Sequence, residues 1–122
     1  MREIKKPWGK EEVIEINPHY VVKKLTMFKN HRCSIQYHDH NKETIYVLSG
    51  KLKIYQGFSK ENLESKIYLP GDFITIPPKL IHRMEGIEES EYLECSTPEL
   101  WDVVRLKDKY NRENVIEKDY KL

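Results

Sequence analysis

Residues 33–50 read CSIQYHDHNKETIYVLSG and contain the pattern that decides the fold. Two histidines, His38 and His40, stand two positions apart at the end of a run rich in polar and aromatic residues. On a β-strand such residues project from the same face, as two imidazoles must if they share one metal ion at about 2.1 Å. A His-x-His pair on a strand is also common as a polar surface pair, so the spacing alone leaves both interpretations open.

The strand that ends at these histidines has one wholly polar face. Because side chains alternate along a strand, Cys33, Ile35 and Tyr37 share the opposite face. The polar face consists of Ser34, Gln36, His38 and His40. Such a face is either exposed to solvent or lines a wet pocket, where Ser34 and Gln36 could bind hydroxyl groups of a substrate.

Two further residues are candidates to complete a metal site. Glu43 opens the apolar run 45–48 and could supply a carboxylate oxygen, although a glutamate at a strand end is often a surface residue. His82 lies among the apolar residues Leu80, Ile81 and Met84, where a lone histidine is usually a hydrogen-bonded core residue.

Short β-branched and aromatic runs recur about every ten residues through most of the chain. They predict strands over residues 12–16, 20–28, 33–38, 44–48, 52–55, 65–69, 73–76, 82–84 and 92–95. Gly50 and Gly71 mark tight turns, so we expect adjacent strands to be antiparallel. The pattern favours a small all-β sandwich or barrel, with residues 98–101 forming a short helical turn in a charged tail.

Composition limits the remaining possibilities. The chain has 122 residues, enough for a single domain over 1–122, which we divide into a core of residues 12–96 and a tail of residues 97–122. Its 21 Lys and Arg and 20 Asp and Glu are interspersed, so no nucleic-acid partner is expected. No apolar run approaches the length that spans a membrane, and the polar start favours a cytoplasmic protein. Cys33 and Cys95 are expected to be free thiols.

Taken together, the candidate residues form one spaced pattern. It reads His38-x-His40-x2-Glu43-x6-Gly50, followed by Gly71-x5-Pro77-x4-His82. This resembles the two sequence motifs of the cupin superfamily. The resemblance implies a small antiparallel barrel, also called a double-stranded β-helix or jelly roll, in which His38, His40, Glu43 and His82 converge on one divalent transition metal. Zn²⁺, Fe²⁺, Mn²⁺, Co²⁺ and Ni²⁺ all suit such ligands, and zinc is the metal we favour.

A closer resemblance extends along nearly the whole chain. Its residues are Lys6-Pro7-Trp8-Gly9-Lys10, Val22-Lys23-Lys24-Leu25-Thr26, Ser34-Ile35-Gln36-x-His38-x-His40 and Val103-Val104-Arg105-Leu106-Lys107-Asp108-x-Tyr110-x-Arg112. They are similar to the C-terminal cupin domain of type II mannose-6-phosphate isomerases. In that family the domain commonly follows a guanylyltransferase domain, which this sequence does not contain, so we expect a stand-alone cupin.

The resemblance implies a metal-dependent sugar-phosphate isomerase that interconverts an aldose and a ketose. A base must then move a proton between C1 and C2, and Lys23, Glu94 or a hydroxide ion on the metal are candidates; we select Lys23. Arg105 and Arg112 match the family's C-terminal arginines. They could clamp the phosphate through bidentate hydrogen bonds, and Arg112 is implied to act in isomerisation.

Several positions depart from the family pattern. Asn41 and Thr44 stand where the family tends to have Arg and His, and Lys79 replaces the usual glycine of the second motif. Two other functions therefore stay open: a different metal-dependent cupin enzyme, such as an epimerase, lyase or oxygenase acting on a sugar or sugar acid, and a non-catalytic sugar-binding cupin. We also expect a homodimer, formed when the strand over residues 12–16 pairs with a partner's sheet.

Overall fold

Strands make up most of the part of the chain that the computed structural model describes, residues 2–107. In chain order they are β1 (Arg2–Lys6), β2 (Gly9–Ile16), β3 (Val21–Met27), β4 (Ile35–His38), β5 (Glu43–Ser49), β6 (Leu52–Gly57), β7 (Glu64–Tyr68), β8 (Phe73–Ile76), β9 (Ile81–Gly86), β10 (Ser90–Ser96) and β11 (Val103–Lys107). The expected all-β fold is confirmed.

These strands form two sheets around one core. One sheet has six strands in the order β1-β2-β3-β10-β5-β8, and the other has five in the order β11-β4-β9-β6-β7. The paired strands are antiparallel, as expected. Chain neighbours such as β4 and β5 lie in different sheets, and this crossing between sheets is the jelly-roll topology that the cupin resemblance implied.

Strand β5 shows how the sequence pattern separates inside from outside. Glu43, Ile45 and Val47 are buried, whereas the residues between them are more exposed and face away from the core. Apolar side chains from both sheets meet in the interior, where removal of their surface from water drives folding. The core comprises Trp8, Leu25, Met27, Cys33, Ile45, Val47, Leu52, Ile54, Tyr68, Ile76, Leu80, Met84 and Tyr92. The same alternation brings the carboxylate of Glu43 inside.

The two terminal strands were not predicted. β1 carries mainly charged residues, and its polar composition hid a strand that pairs with β2 along its whole length. The expected tail of residues 97–122 is wrong in part, because residues 103–107 form β11 against β4. The helical turn expected over 98–101 is also wrong: the Leu100 N–H donates to the Pro98 carbonyl in a tight turn. Residues 108–122 lie outside the described part.

The expected route to a homodimer is contradicted only for the first part of the strand. Residues 12 and 13 belong to β2 and are paired with β1 on one side and β3 on the other, which leaves no backbone groups there for a partner. Residues 15 and 16 are in register with β3 alone among the described residues. The edge strands of the two sheets are β1, β8, β11 and β7. No helix within residues 2–107 is long and apolar enough to cross a membrane.

Two glycines in left-handed turns allow a matched test of packing. Gly50 has φ +87° and Gly71 has φ +93°, so alanine is strained at either position. A Cβ at Gly50 would overlap the carbonyl oxygen of Glu89, whereas a Cβ at Gly71 would meet no atom within 4 Å. We expect Gly71→Ala to lower the free energy of unfolding by about 1 kcal/mol and Gly50→Ala by about 3 kcal/mol. Chemical denaturation measures both, and equal losses would contradict the packing argument.

Candidate metal centre

Three buried side chains converge between the sheets. His38 ends β4, Glu43 begins β5 and His82 lies on β9, and one ligand atom from each falls within 4.8 Å of the others. Glu43 Oε1 is 3.7 Å from His38 Nε2 and 3.3 Å from His82 Nε2. The two imidazole rings stack at 5.3 Å between centroids. The first and second sequence motifs therefore meet in space, as the cupin resemblance implied.

The second nitrogen of each imidazole is already engaged. His82 Nδ1 lies 2.9 Å from the Leu80 carbonyl oxygen, which can only accept, so this nitrogen carries the proton. His38 Nδ1 lies 3.3 Å from Asp102 Oδ1 and donates to that carboxylate in the same way. Both Nε2 atoms therefore present lone pairs toward Glu43. This orientation by a carbonyl or a carboxylate is typical of metal-binding histidines.

The ligand atoms themselves are buried and lack hydrogen-bond partners. His38 Nε2, His82 Nε2 and Glu43 Oε1 are each without one in the described structure. Buried polar atoms are rarely left unsatisfied, because the loss of hydration is costly. Two imidazole nitrogens and one carboxylate oxygen form a donor set that suits divalent transition metals and leaves coordination positions open. The residues present therefore fit a divalent metal ion.

His40, the fourth expected ligand, is not part of this cluster. Its side chain is exposed, and only its backbone N–H points inward, where it donates to Asp102 Oδ2 at 2.7 Å. The physical reason is that β4 ends at His38. Beyond that residue the strand alternation that would bring His40 to the same face no longer applies. The described structure thus brings together three of the four expected ligands.

The charges around Glu43 favour a cation at this position. Burial raises the pKa of Glu43, but the neighbouring Glu94 carboxyl group and the His38 and His82 imidazoles outweigh burial and hold that pKa well below its ordinary value. Burial lowers the pKa of His38, but Glu43 and Asp102 outweigh it and raise that pKa above 6.5. Burial and the charge of Glu43 raise the pKa of Glu94 well above its ordinary value, so Glu94 holds a proton more readily than Glu43 does. The field that attracts a proton here also attracts a metal ion.

A cavity of about 50 Å³ opens beside these residues. Of the predicted binding and catalytic residues, Lys23, Gln36 and Arg105 line it, together with His38 and Glu43. The pairing of strands explains this, because Gln36 on β4 is in register with Arg105 on β11 and with His82 on β9.

One further predicted residue, Ser34, is placed differently. Ser34 is fully buried and does not line the cavity; its hydroxyl donates to Gln36 Oε1 at 2.9 Å and so holds that amide. Arg112 lies outside the described residues.

Other cavity residues were missed by sequence reasoning. Glu11 forms an ion pair with Lys23 at 3.5 Å, and the phenol oxygen of Tyr92 is buried without a hydrogen-bond partner. The two-residue period of a strand could have found them. Glu11 lies on the same face as Val13, and Tyr92 lies on the same face as Glu94, and both faces point inward. Asp102 had no such signal, since it lies in the connection before β11.

The structure locates the departures from the family pattern. Thr44 lies on the outer face of β5 and contacts Thr75, away from the cavity. Lys79 has φ 73°, a left-handed conformation that favours glycine, which accounts for the family's residue there. Of these three residues, Asn41 is the one that lines the cavity. Its Nδ2 donates to the Thr97 carbonyl at 2.7 Å, and its Oδ1 is buried without a hydrogen-bond partner.

A jelly roll of two antiparallel sheets, with histidines and a glutamate converging from β4, β5 and β9, places the chain in the cupin class. Within that class the chain belongs to the family described as mannose-6-phosphate isomerase C-terminal, which matches residues 1–108.

Curated relatives include the mannose-1-phosphate guanylyltransferase ManC of Salmonella typhimurium, 31% identical over 121 residues. Another is the mannose-1-phosphate guanylyltransferase of Escherichia coli K12, 31% identical over 123 residues. Each match covers 91% of this chain and only 23% of the relative.

Solved structures of similar fold share little sequence. KdgF from Halomonas has a TM-score of 0.71 at 15% identity, covering 80% of this chain and 86% of that one. An oxalate decarboxylase of Bacillus subtilis, whose study concerned its Mn(II) centres, has a TM-score of 0.74 at 19% identity, covering 87% of this chain and 30% of that one. At these identities the likeness shows the fold alone.

Proposed function

We propose that this protein is a metal-dependent sugar-phosphate isomerase that interconverts an aldose and a ketose. The observation that carries the proposal is the set of buried, unpaired ligand atoms of His38, Glu43 and His82 beside a polar cavity. Membership of a family described by mannose-6-phosphate isomerase supports the reaction class. The relatives' guanylyltransferase names describe much longer proteins, so they do not decide the activity of this domain.

Zinc is the metal we propose, held by His38, Glu43 and His82 with His40 as a fourth ligand. His40 is separated from His38 by one residue, so rotation of its exposed side chain would be needed to join the others. A bound divalent ion supplies Lewis-acid polarisation of the substrate carbonyl. Manganese is the principal competitor, because the same imidazole and carboxylate ligands accept it.

Polar atoms around the cavity suit a polyhydroxy substrate. Asn41 Oδ1 and Glu99 Oε2 are buried acceptors without partners, and sugar hydroxyls would donate to them. Gln36, fixed by Ser34, would bind a further hydroxyl group. Arg105 provides a guanidinium at the cavity wall, which would hold the phosphate through bidentate hydrogen bonds, and we propose Arg112 as its partner in this role.

Isomerisation also needs a group that carries a proton between C1 and C2. Lys23 and Glu94 both line the cavity and face each other across β3 and β10. Lys23 lies in an ion pair with Glu11, and an ammonium in that position is suited to stabilise negative charge that develops on the substrate. A metal ion bound to Glu43 would offset the negative charge that raises the pKa of Glu94. Glu94 would then be a carboxylate, and we propose that it accepts the proton from C2 and returns it to C1.

The proposal is tested by measuring turnover of the zinc-loaded protein on a panel of phosphorylated and unphosphorylated aldoses. We expect conversion of mannose 6-phosphate to fructose 6-phosphate, and little conversion of free mannose because Arg105 would have no phosphate to bind. If the protein binds a sugar of the panel measurably but converts none of them, the proposed isomerase activity is contradicted and a non-catalytic sugar-binding cupin is favoured. Turnover of sugar acids alone would favour a different cupin enzyme.

A further inference from the structure

Asp102 occupies a central position between the metal cluster and the C-terminal strand. It directly precedes β11, whose first residue, Val103, is in register with His38 at the end of β4. Its side chain is only 11% exposed, which is low for a carboxylate in a connection between strands. The pairing of β11 with β4 therefore places the Asp102 carboxylate beside Nδ1 of His38.

The two oxygens of Asp102 have separate partners. Oδ1 lies 3.3 Å from His38 Nδ1, on the side of the ring away from Glu43. Oδ2 accepts the backbone N–H of His40 at 2.7 Å and that of Asn41 at 2.9 Å. One side chain thus orients the imidazole of a metal ligand and also fixes the backbone that carries His40 and Asn41.

We propose that Asp102 is the positioning residue of the metal centre. It acts by keeping the His38 proton on Nδ1, which leaves the Nε2 lone pair for the metal, and by holding the loop that follows β4. This inference rests on the metal site of the proposed function and adds to it a residue from outside both sequence motifs. A carboxylate behind a metal-binding histidine typically contributes 10–100-fold to metal affinity.

Asp102→Asn separates this role from a merely structural one. Asparagine has one side-chain oxygen, and the two backbone N–H groups need an acceptor, so that oxygen is expected to face them. Its NH₂ group would then face His38 Nδ1, and two donors cannot form a hydrogen bond. His38 must move its proton to Nε2, where it blocks the lone pair, although the loop keeps its acceptor.

The experiment uses the full chain with ¹⁵N-labelled histidine. Two-dimensional NMR of the metal-free protein at alkaline pH reports which ring nitrogen of His38 is protonated, and competition with a chelator measures zinc affinity. We expect the Nδ1–H form in the wild type, and in Asp102→Asn the Nε2–H form with zinc affinity lowered about 10–100-fold. Asp39→Asn is the matched control, because Asp39 adjoins His38 but forms an exposed ion pair with Lys79.

Two results would overturn the inference. One is wild-type zinc affinity and tautomer in Asp102→Asn. The other is the Nε2–H tautomer in the wild type itself, a measurement that requires no variant to fold. Should the wild type bind no metal at all, the proposed metal function fails, while the tautomer measurement still decides the role of Asp102.

Discussion

Replacing His82 with asparagine is expected to lower the affinity for zinc by more than about 100-fold. A carboxylate behind a metal-binding histidine contributes 10–100-fold, and loss of the ligand itself must cost more. His82 is fully buried, so the shorter side chain also has to leave the fold intact. Asparagine suits this purpose because its amide can keep a hydrogen bond to the Leu80 carbonyl. Titration with zinc against a chelating indicator measures the loss.

His19→Asn serves as the matched control for this change. His19 is exposed on the connection between β2 and β3, and its backbone N–H bonds the Asn17 side chain. We expect this variant to bind zinc as the wild type does. Equal zinc affinity of His82→Asn and the wild type, with both folded by circular dichroism, would show that His82 is not a ligand.

Replacing Glu94 with glutamine is expected to lower kcat for the isomerisation by about 10²–10⁴-fold, the usual contribution of a positioned proton carrier. Glutamine keeps a donor toward Glu43, so the metal site should retain its zinc. The amide cannot release and recapture a proton between C1 and C2. Steady-state kinetics of the zinc-loaded variant, with its metal content measured in parallel, test this expectation.

Glu91→Gln controls for the loss of a carboxylate from the same strand. Glu91 lies on the other side of β10, where it pairs with Lys24 at 3.1 Å, and its removal should leave kcat unchanged. Lys23→Met provides the comparison within the cavity. Full activity in Glu94→Gln together with an inactive Lys23→Met would assign the proton transfer to Lys23 instead.

Much of the fold was predictable because the strands follow a simple physical pattern. In β5 every second residue from Glu43 to Val47 is buried, and Gly50 and Gly71, both with positive φ, mark the turns after β5 and β7, so strand and turn could both be recognised. β1 lacked this signal, because Ile4 is its one apolar residue, and its pairing with β2 defines it as a strand. β11 alternates apolar and charged residues over only four positions next to a charged segment, and its pairing with β4 defines it as a strand.

The part of the candidate site that follows from motif spacing was predictable, and the part that depends on where a strand ends or which strands pair was not. The motif spacing predicted that His38, Glu43 and His82 lie together. It also suggested His40, but that inference assumed that β4 continues past His38, and the strand ends there. Asp102 could not be found at all, because its contact with His38 arises from the pairing of two strands far apart in sequence.

The metal content of the purified protein is the most direct test of the central claim that His38, Glu43 and His82 hold one divalent ion. Elemental analysis after zinc loading and gel filtration, beside a His38→Ala/His82→Ala variant, gives the stoichiometry. We expect about one zinc per wild-type chain, lost on treatment with a chelator, and almost none in the variant. A wild type that binds no zinc, or a variant that retains as much as the wild type, would contradict the account.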